Sequence, residues 1–160
     1  MTTTAGLTRL EPPVSANDWL EARRLVEEYA ASLPIDLSFQ DFTQEVESLP
    51  DHYGAPDGCF IVARRDEAVI GCGALRRFSE SACELKRLYV IPDYRGEGVG
   101  RMIAVALIER ARGIGYRSVL LDTLPAMIGA QALYASLGFT QTTPYRFNPI
   151  AGATYWKLDL

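Results

Sequence analysis

Three glycines and two arginines stand together just past the middle of the chain. Gly96, Gly98 and Gly100 alternate with other residues, and Arg95 and Arg101 bracket them. Glycines let a backbone approach a ligand closely because no Cβ atom intervenes. The free N–H groups and the dipole of a helix beginning here would favour a phosphate or pyrophosphate, and the arginines could add charge-assisted hydrogen bonds. The pattern therefore favours a phosphate-binding turn over a turn that only reverses the chain.

Two other phosphate-binding loops agree less well with these residues. The sequence has no G-x-x-x-x-G-K-[ST] segment, which excludes a P-loop. A dinucleotide-binding fold would account for Asp122, which ends the next strand where a ribose-binding acid stands about 20 residues after the glycines. That fold would also need glycine in place of Arg101, and a strand directly before Gly96 rather than the five residues from Ile91 to Arg95. The spacing therefore disfavours an NAD-type binder.

The first part of the chain reads as two helices. A capping-box sequence, Ser15-Ala-Asn-Asp18, predicts the start of the first helix, and Pro34 predicts its end. A second helix is predicted from about Ser38 to Pro50. Its apolar face would consist of Phe39, Phe42, Val46 and Leu49.

From residue 59 the apolar period changes to that of strands. Strands are predicted at Cys59–Ala63, Ala68–Leu75, Cys83–Val90 and Ser118–Asp122, with a final pair from Phe139 onward and at Thr154–Leu160. Helices are predicted at Val99–Arg112 and Met127–Leu137. The first of these would turn Met102, Ile103, Ala106 and Leu107 inward. This order predicts an α+β fold over residues 1–160, a single domain whose mixed central sheet has about six to seven strands and about four flanking helices.

Two motifs in this framework resemble those of a known family. Arg95-Gly-Glu-Gly-Val-Gly100 resembles the R/Q-x-x-G-x-G/A pyrophosphate loop of the GNAT superfamily of acyl-CoA N-acyltransferases. Ala130-Gln-Ala-Leu-Tyr-Ala-Ser-Leu-Gly-Phe139 is similar to the family's A-x-x-L-Y-x-x-x-G-F. The motifs have the family's order and separation, and the resemblance extends over nearly the whole chain. It implies a GNAT-like N-acetyltransferase domain that uses acetyl-CoA.

The resemblance also implies which residues bind the cofactor. The backbone of Leu88, Tyr89 and Val90 would pair with the pantetheine arm. Met127 stands where many relatives have an asparagine that contacts the cofactor, which is a departure from the family pattern. The pyrophosphate would be held by the loop residues Arg95, Gly96, Glu97, Gly98, Val99, Gly100 and Arg101.

Direct acetyl transfer needs few catalytic groups. Tyr134 matches the tyrosine that protonates the departing thiolate in many relatives; without the motif it would be interpreted as a core aromatic. Glu84 and Asp122, carboxylates within otherwise apolar strands, are the candidates for a base that deprotonates the amine, although either could belong to a structural ion pair. A backbone N–H freed by a distortion at the Leu88–Val90 end of its strand could stabilise the oxyanion.

Composition limits the class of function further. A net charge of −4 argues against nucleic-acid binding, and no apolar run approaches the roughly 20 residues of a membrane span. Three scattered cysteines without a CxxC pair argue against a disulfide framework and a zinc site. The first residues lack the apolar segment of a signal peptide. We therefore expect a cytoplasmic protein that binds no metal, membrane or nucleic acid.

The acceptor is less determined than the cofactor. Acidic residues strongly outnumber basic ones among the first 58 residues, and in the family the early helices commonly wall the acceptor site. An acidic wall would attract a cationic amine, but residues such as Glu27, Glu28, Glu45 and Glu47 could equally form a solvated helix face. Near the C-terminus, the residues that could touch the acceptor are Tyr145, Arg146 and Asn148.

The leading interpretation is a small-molecule primary amine as acceptor. Peptide or protein N-acetylation is an alternative, because a sequence does not distinguish an open acceptor groove from a closed one. Another alternative is a CoA-binding sensor or interaction module that has lost catalysis. Either a monomer or a homodimer agrees with the sequence.

Overall fold

The computed structural model describes residues 6–37 and 41–160. Their strands form a mixed sheet in the order β1-β2-β3-β4-β5-β7-β6, in which β4 and β5 are parallel and every other neighbouring pair is antiparallel. The strands are β1 (Thr8–Glu11), β2 (Cys59–Arg65), β3 (Ala68–Arg77), β4 (Ala82–Val90), β5 (Ser118–Thr123), β6 (Thr140–Thr142) and β7 (Thr154–Asp159). The helices are α1 (Ala16–Ser32), α2 (Phe42–Glu47), α3 (Leu49–Tyr53), α4 (Val99–Ile114) and α5 (Ile128–Ser136). The predicted α+β fold with a mixed sheet is therefore confirmed.

Each face of the sheet has its own apolar core. On one face, Ile103 and Leu107 of α4 pack with buried residues of β2 to β5, and Tyr134 of α5 joins the same cluster. On the other face, Leu25 and Val26 of α1 pack with residues of α2, α3, β2 and β3. The strands at the centre of the sheet are covered on both sides, which explains their nearly continuous apolar sequences.

Local signals position the ends of two helices as the sequence predicts. The Ser15 hydroxyl accepts a hydrogen bond from the Asp18 N–H at 3.1 Å, and the Asp18 carboxylate accepts one from the Ser15 N–H at 3.0 Å. These reciprocal bonds satisfy N–H groups that have no partner within the helix. At the end of α4, Gly115 adopts a φ of 107°, a left-handed conformation that glycine takes at little cost.

Three details differ from the sequence-based expectation. The four-residue edge strand β1 was not predicted, because it is too short to show a strand period, and it forms by pairing with β2. The predicted second helix is two helices separated at Ser48, and Pro50 lies in the first turn of α3 instead of ending a helix. The predicted start of that helix, residues 38–40, lies outside the described residues. Met102 is 40% exposed, since the buried face of α4 is centred on Ile103 and Leu107.

β4 is distorted at Arg87 and separates from β5 partway along its length. Cys72 of β3 pairs with Tyr89, but Ala74 pairs with Lys86, so β4 contains one extra residue at this point. Arg87, beside this bulge, has a φ of 59°, in the left-handed region.

The pairing between β4 and β5 is short. It runs from Ala82 opposite Ser118 only as far as Glu84 opposite Leu120, whereas both strands continue beyond it. The end of β4 therefore has a sheet neighbour on the β3 side alone.

A buried ion pair holds the bulged part of β4 against α2. The Arg87 guanidinium donates two hydrogen bonds to Glu45, at 2.6 and 2.8 Å, and the two side chains are 3% and 1% exposed. The guanidinium also lies over the rings of Phe42 and Tyr29, at 5.3 and 6.0 Å from their centroids. Burial raises the pKa of Glu45, but the hydrogen bonds and charge of Arg87 outweigh burial and hold that pKa below its usual value.

We expect Glu45→Gln to lower the free energy of unfolding by about 3–5 kcal/mol at neutral pH, because it leaves the buried charge of Arg87 without a counter-charge. A carboxyl with a lowered pKa contributes stability above its unfolded pKa, about 4.3, and loses it as pH falls through the folded pKa. Urea unfolding of both proteins from pH 7 to pH 3 should therefore show their difference shrinking below about pH 4.3. A difference that stays constant over this range would contradict the charge-pair explanation.

Candidate active site

The gap between the diverging ends of β4 and β5 opens into a cleft of about 720 Å³. Its walls come from the end of α1 and the loop after it, β4, the turn before α4, the end of β5, and α5. This volume lies within the range of about 300–1,000 Å³ that is typical of small-ligand sites. The cleft brings together most residues that the sequence singled out.

The glycine-rich turn forms one end of the cleft. Gly96 and Gly98 have φ values of 82° and 81°, and a Cβ atom at either position would meet no heavy atom within 4 Å. Gly98 is the N-cap of α4, and no side chain caps this helix. The first N–H groups of α4 therefore lack partners within the helix, an arrangement that suits an anion.

Arg95 and Arg101 both line the cleft and are each held by a neighbour. Arg95 Nε donates to the Val90 carbonyl at 2.8 Å, and its guanidinium lies 5.4 Å from the centroid of the Tyr89 ring. Arg101 Nη1 donates to Ser136 Oγ at 2.9 Å, which links the start of α4 to α5. The two arginines therefore line the cleft close to the open start of α4, together with Val99 and Gly100.

Glu97 is the one residue of this turn that does not line the cleft. Its carboxylate accepts a hydrogen bond from Arg65 Nη1 at 2.9 Å, and the Arg65 guanidinium lies 5.1 Å from the centroid of the Tyr94 ring. The Glu97 side chain therefore anchors the turn to β2, and its direction separates it from the other residues predicted to bind the cofactor.

The exposed edge of β4 forms the floor of the cleft. Leu88, Tyr89 and Val90 all line it, as the sequence predicts for residues beside a pantetheine arm. The distortion of the strand lies at Arg87, one residue before the predicted segment. Bulges free backbone groups from the ladder, so the bulged segment is where an oxyanion donor would be sought.

Tyr134 and Met127 enter the cleft from the α5 side. Burial raises the pKa of Tyr134, and the neighbouring Tyr29 and Asp122 raise it further, so the phenol keeps its proton at neutral pH. The Tyr134 ring packs edge-on against Phe139 at 5.5 Å, which fixes its position. Met127 is the N-cap residue of α5 and also lines the cleft.

The two carboxylates proposed as bases have different surroundings. Asp122, near the end of β5, lines the cleft and accepts a hydrogen bond from Asn148 Nδ2 at 3.1 Å. Asn148 also lines the cleft, and its Oδ1 accepts from the Ile150 N–H at 3.0 Å, which orients the amide. Asp122 is therefore a carboxylate with an open side toward the cleft.

Glu84 is 1% exposed and is not part of the cleft wall. It accepts hydrogen bonds from Arg76 Nε at 3.1 Å, Arg146 Nη2 at 2.9 Å and the Tyr145 hydroxyl at 3.0 Å. A carboxylate surrounded by three donors has the environment of a structural ion-pair member, the alternative that the sequence left open.

Several cleft residues were missed from the sequence. Tyr29 lines the cleft from α1, and the loop after α1 contributes apolar residues from Leu33 to Leu37. Lys86 also lines it, and the only sequence signal was a lysine within an apolar strand. The charged side chains of the described wall are Lys86, Arg87, Arg95, Arg101 and Asp122.

The acidic residues of the early helices do not form an acidic cleft wall. Among the described lining residues there is no glutamate. Glu27 pairs with Arg23 at 2.9 Å, and Glu45 pairs with Arg87. These carboxylates neutralise nearby arginines, so the acidic balance of the first 58 residues does not extend to the cleft.

The described residues contain no group of three or more His, Cys, Asp or Glu side chains placed to hold a metal ion. None of their helices has the length and apolarity needed to cross a membrane.

Comparisons with known proteins agree with the motifs and the cleft. The sequence model of the acetyltransferase (GNAT) family matches residues 22–139. An uncharacterized N-acetyltransferase of Schizosaccharomyces pombe is 38% identical over 140 residues, which cover 86% of each chain.

Solved structures show the same fold at low identity. A GNAT-family acetyltransferase of Staphylococcus aureus has a TM-score of 0.79 at 18% identity and covers 96% of this chain and 99% of its own. YncA of Salmonella typhimurium, whose structure contains acetyl-CoA, has a TM-score of 0.71 at 18% identity, covering 96% and 94%. The match of the family model over most of the chain, together with the Schizosaccharomyces relative, shows that this protein is an acyltransferase that belongs to the GNAT family of N-acetyltransferases.

Proposed function

We propose that this protein transfers the acetyl group of acetyl-CoA directly to the primary amine of a small acceptor. The observation that carries the proposal is the cleft itself, which joins an uncapped, glycine-rich helix start to Tyr134 and Asp122 within one volume. We further propose that residues 1–160 act as one catalytic domain. We place this protein in the cytoplasm. The three cysteines are free and buried, which agrees with a protein that functions in a reducing compartment: Cys59, Cys72 and Cys83.

The cleft has the features that acetyl-CoA requires. The turn from Arg95 to Arg101 offers backbone N–H groups and two guanidinium groups for a pyrophosphate, and Gly96 and Gly98 leave room for it. The edge of β4 from Leu88 to Val90 offers backbone groups to an extended amide-containing arm. When bound, acetyl-CoA supplies the acetyl group in an activated form, as a thioester.

The residues beyond the turn supply the proton transfers. Tyr134 is protonated and fixed by Phe139, so it can donate a proton to the departing sulfur. Asp122, oriented by Asn148, can accept a proton from the acceptor's ammonium group. The bulge at Arg87 offers a backbone donor where negative charge develops on the carbonyl oxygen. Holding both reactants in one cleft supplies much of the remaining acceleration.

We expect Gly98→Ala to weaken acetyl-CoA binding about tenfold or more, because a non-glycine residue in the left-handed region costs roughly 1–2 kcal/mol and would deform the turn. Thermal-shift titration with acetyl-CoA measures this, since a ligand that binds the folded state raises the melting temperature.

Gly113→Ala, later in the same helix and facing open space, is the matched control and should bind acetyl-CoA normally while gaining about 0.5–1 kcal/mol in stability. Stabilisation of the wild type by NAD and not by acetyl-CoA would refute the cofactor assignment.

We expect Tyr134→Phe to lower kcat by about 10²–10⁴ with little change in the KM for acetyl-CoA, because only the proton donor is removed. Release of the CoA thiol in the presence of an amine panel measures the rate. Tyr29→Phe removes a second hydroxyl from the same cleft and should retain most of the activity. If Tyr29→Phe loses activity and Tyr134→Phe does not, the assignment of the acid is wrong and the transfer reaction still stands.

Asp122→Asn and Glu84→Gln distinguish the two candidate bases. We expect Asp122→Asn to lower kcat about a hundredfold or more, with little change in melting temperature. Glu84→Gln should instead lower the melting temperature, because Arg76 and Arg146 lose their shared counter-charge. Loss of turnover in Glu84→Gln without loss of stability would transfer the role of base to Glu84.

A further inference from the structure

A cationic cluster lies beside the part of the cleft that contains Lys86 and Asp122, which we call the acceptor end. Arg76 of β3, Lys86 of β4 and Arg146 of the segment between β6 and β7 surround the buried carboxylate of Glu84. Arg87 is adjacent, but its charge is matched by Glu45. Arg76 and Arg146 both pair with Glu84, and Lys86 lies in the same poorly solvated region.

The hydrogen bonding of Arg146 is the second feature of this cluster. Its Nη2 donates to Glu84, whereas its Nε is buried and has no hydrogen-bond acceptor among the described residues. An unpartnered buried donor carries a free-energy cost of desolvation. The cluster therefore contains a hydrogen-bond donor that an additional acceptor would satisfy.

Lys86 is the member of the cluster that reaches the cleft wall, where it is 6% exposed. Burial and then the charge of Arg87 lower the pKa of Lys86 to about 7. Glu84 opposes this effect, while Arg76 and Arg146 add to it. Because a nearby anion favours the charged form of an amine, a bound carboxylate would raise the pKa again.

The sheet register places Lys86 and Asp122 at the same level. Glu84 pairs with Leu120, and each of the two residues follows two positions later on its own parallel strand. Side chains alternate along strands, and the residues between them, Leu85 and Leu121, belong to the core on the α4 side. Lys86 and Asp122 therefore share the opposite face, one on each side of the gap between β4 and β5.

The remaining cations of the cleft wall lie elsewhere. Arg95 and Arg101 flank the glycine-rich turn at the pyrophosphate end. Arg87 also lines the wall but is paired with Glu45, so the acceptor end of the described wall presents Lys86 and one carboxylate, Asp122, across a gap. This pattern matches a molecule that has an amine and a carboxylate close together, and it does not favour a polyamine, which would bring cations toward Lys86.

We propose that the acceptor carries a carboxylate next to its amine, as an α-amino acid does, and that Lys86 binds this carboxylate while Asp122 faces the amine. This inference rests on the function proposed above. The proposed acceptor is therefore a zwitterion, recognised by both of its charges, and not a cationic amine attracted by an acidic wall.

The first test uses acceptors that differ only in the carboxylate. Glycine, leucine, phenylalanine and aspartate are compared with their α-amides, and putrescine serves as a diamine without a carboxylate. We expect the wild type to prefer the better acid over its amide by about tenfold or more in kcat/KM. The amine of the amide has a lower pKa than that of the acid, so more of the amide is unprotonated at neutral pH. A preference for the acid would therefore run against the intrinsic reactivity of the two acceptors.

Lys86→Met is the informative variant, because it removes the ammonium group and keeps an unbranched side chain of similar length. It should erase the preference through a higher KM for the acid, with the kcat for the amide retained. The chain has only two lysines, so Lys157→Met, at an exposed position on β7, is the matched control and should behave as the wild type. Amides or putrescine used as well as the acids by the wild type, or a preference that survives in Lys86→Met, would overturn the proposal.

A second measurement does not depend on turnover. In protein labelled with ¹³C-lysine, Lys86 and Lys157 give two side-chain signals, and the titration midpoint of each can be followed by NMR. With CoA bound, N-acetylleucine or N-acetylglycine should raise the Lys86 midpoint, the corresponding amides should not, and Lys157 should not respond.

Absence of any shift in the Lys86 midpoint would overturn the carboxylate site. A shift without acetylation of any acceptor would support the carboxylate site and refute the proposed transfer reaction. The two proposals can therefore fail separately.

Discussion

The buried ion pair between Arg87 and Glu45 joins the strand at the floor of the cleft to the helical layer that covers it. Arg87 adopts a left-handed conformation at the bulge of β4, a geometry that costs a non-glycine residue roughly 1–2 kcal/mol. Two hydrogen bonds to Glu45 and two aromatic rings hold its guanidinium in place. One interaction thus links the distortion at the floor of the cleft to α2.

The early end of pairing between β4 and β5 creates the space for function. Three residue pairs join the strands, after which they diverge and the edge of β4 lines the cleft. A sheet that continued its ladder would satisfy these backbone groups and leave no site. The glycine-rich start of α4 lies at one end of the gap, and Lys86 and Asp122 lie on its two sides, so one break in the ladder exposes all the residues that the proposed function uses.

The charge of the cleft wall depends on local ion pairs and not on the net charge of the protein. The net charge is −4 and the early helices are acidic, yet the described wall of the cleft has four cations and one carboxylate. Two acids of the first part of the chain that lie near the sheet are paired with arginines: Asp18 with Arg64, and Glu45 with Arg87. The cations of the wall also differ in their surroundings. Arg87 has Glu45 as its counter-charge, whereas burial and the neighbouring cations lower the pKa of Lys86. Which charge a substrate meets is decided by these pairings.

The sequence by itself determined the features that depend on a few neighbouring residues. The capping box of α1, the glycine-rich turn, the start of α4 at Val99 and the parallel strand β5 follow from local backbone preferences and apolar period, and they suffice to predict the α+β fold and the family. Residues of both motifs, such as Gly98 and Tyr134, lie in one cleft.

The tertiary structure decided what depends on residues far apart in the chain. Glu84 is withdrawn from the cleft by Arg146, 62 residues away, and Arg87 is held by Glu45, 42 residues away. Lys86 differs from an ordinary strand lysine only through burial and the charges around it. Such effects fall off steeply with distance between side chains and are independent of their separation in sequence, so only the folded arrangement distinguishes Asp122 from Glu84.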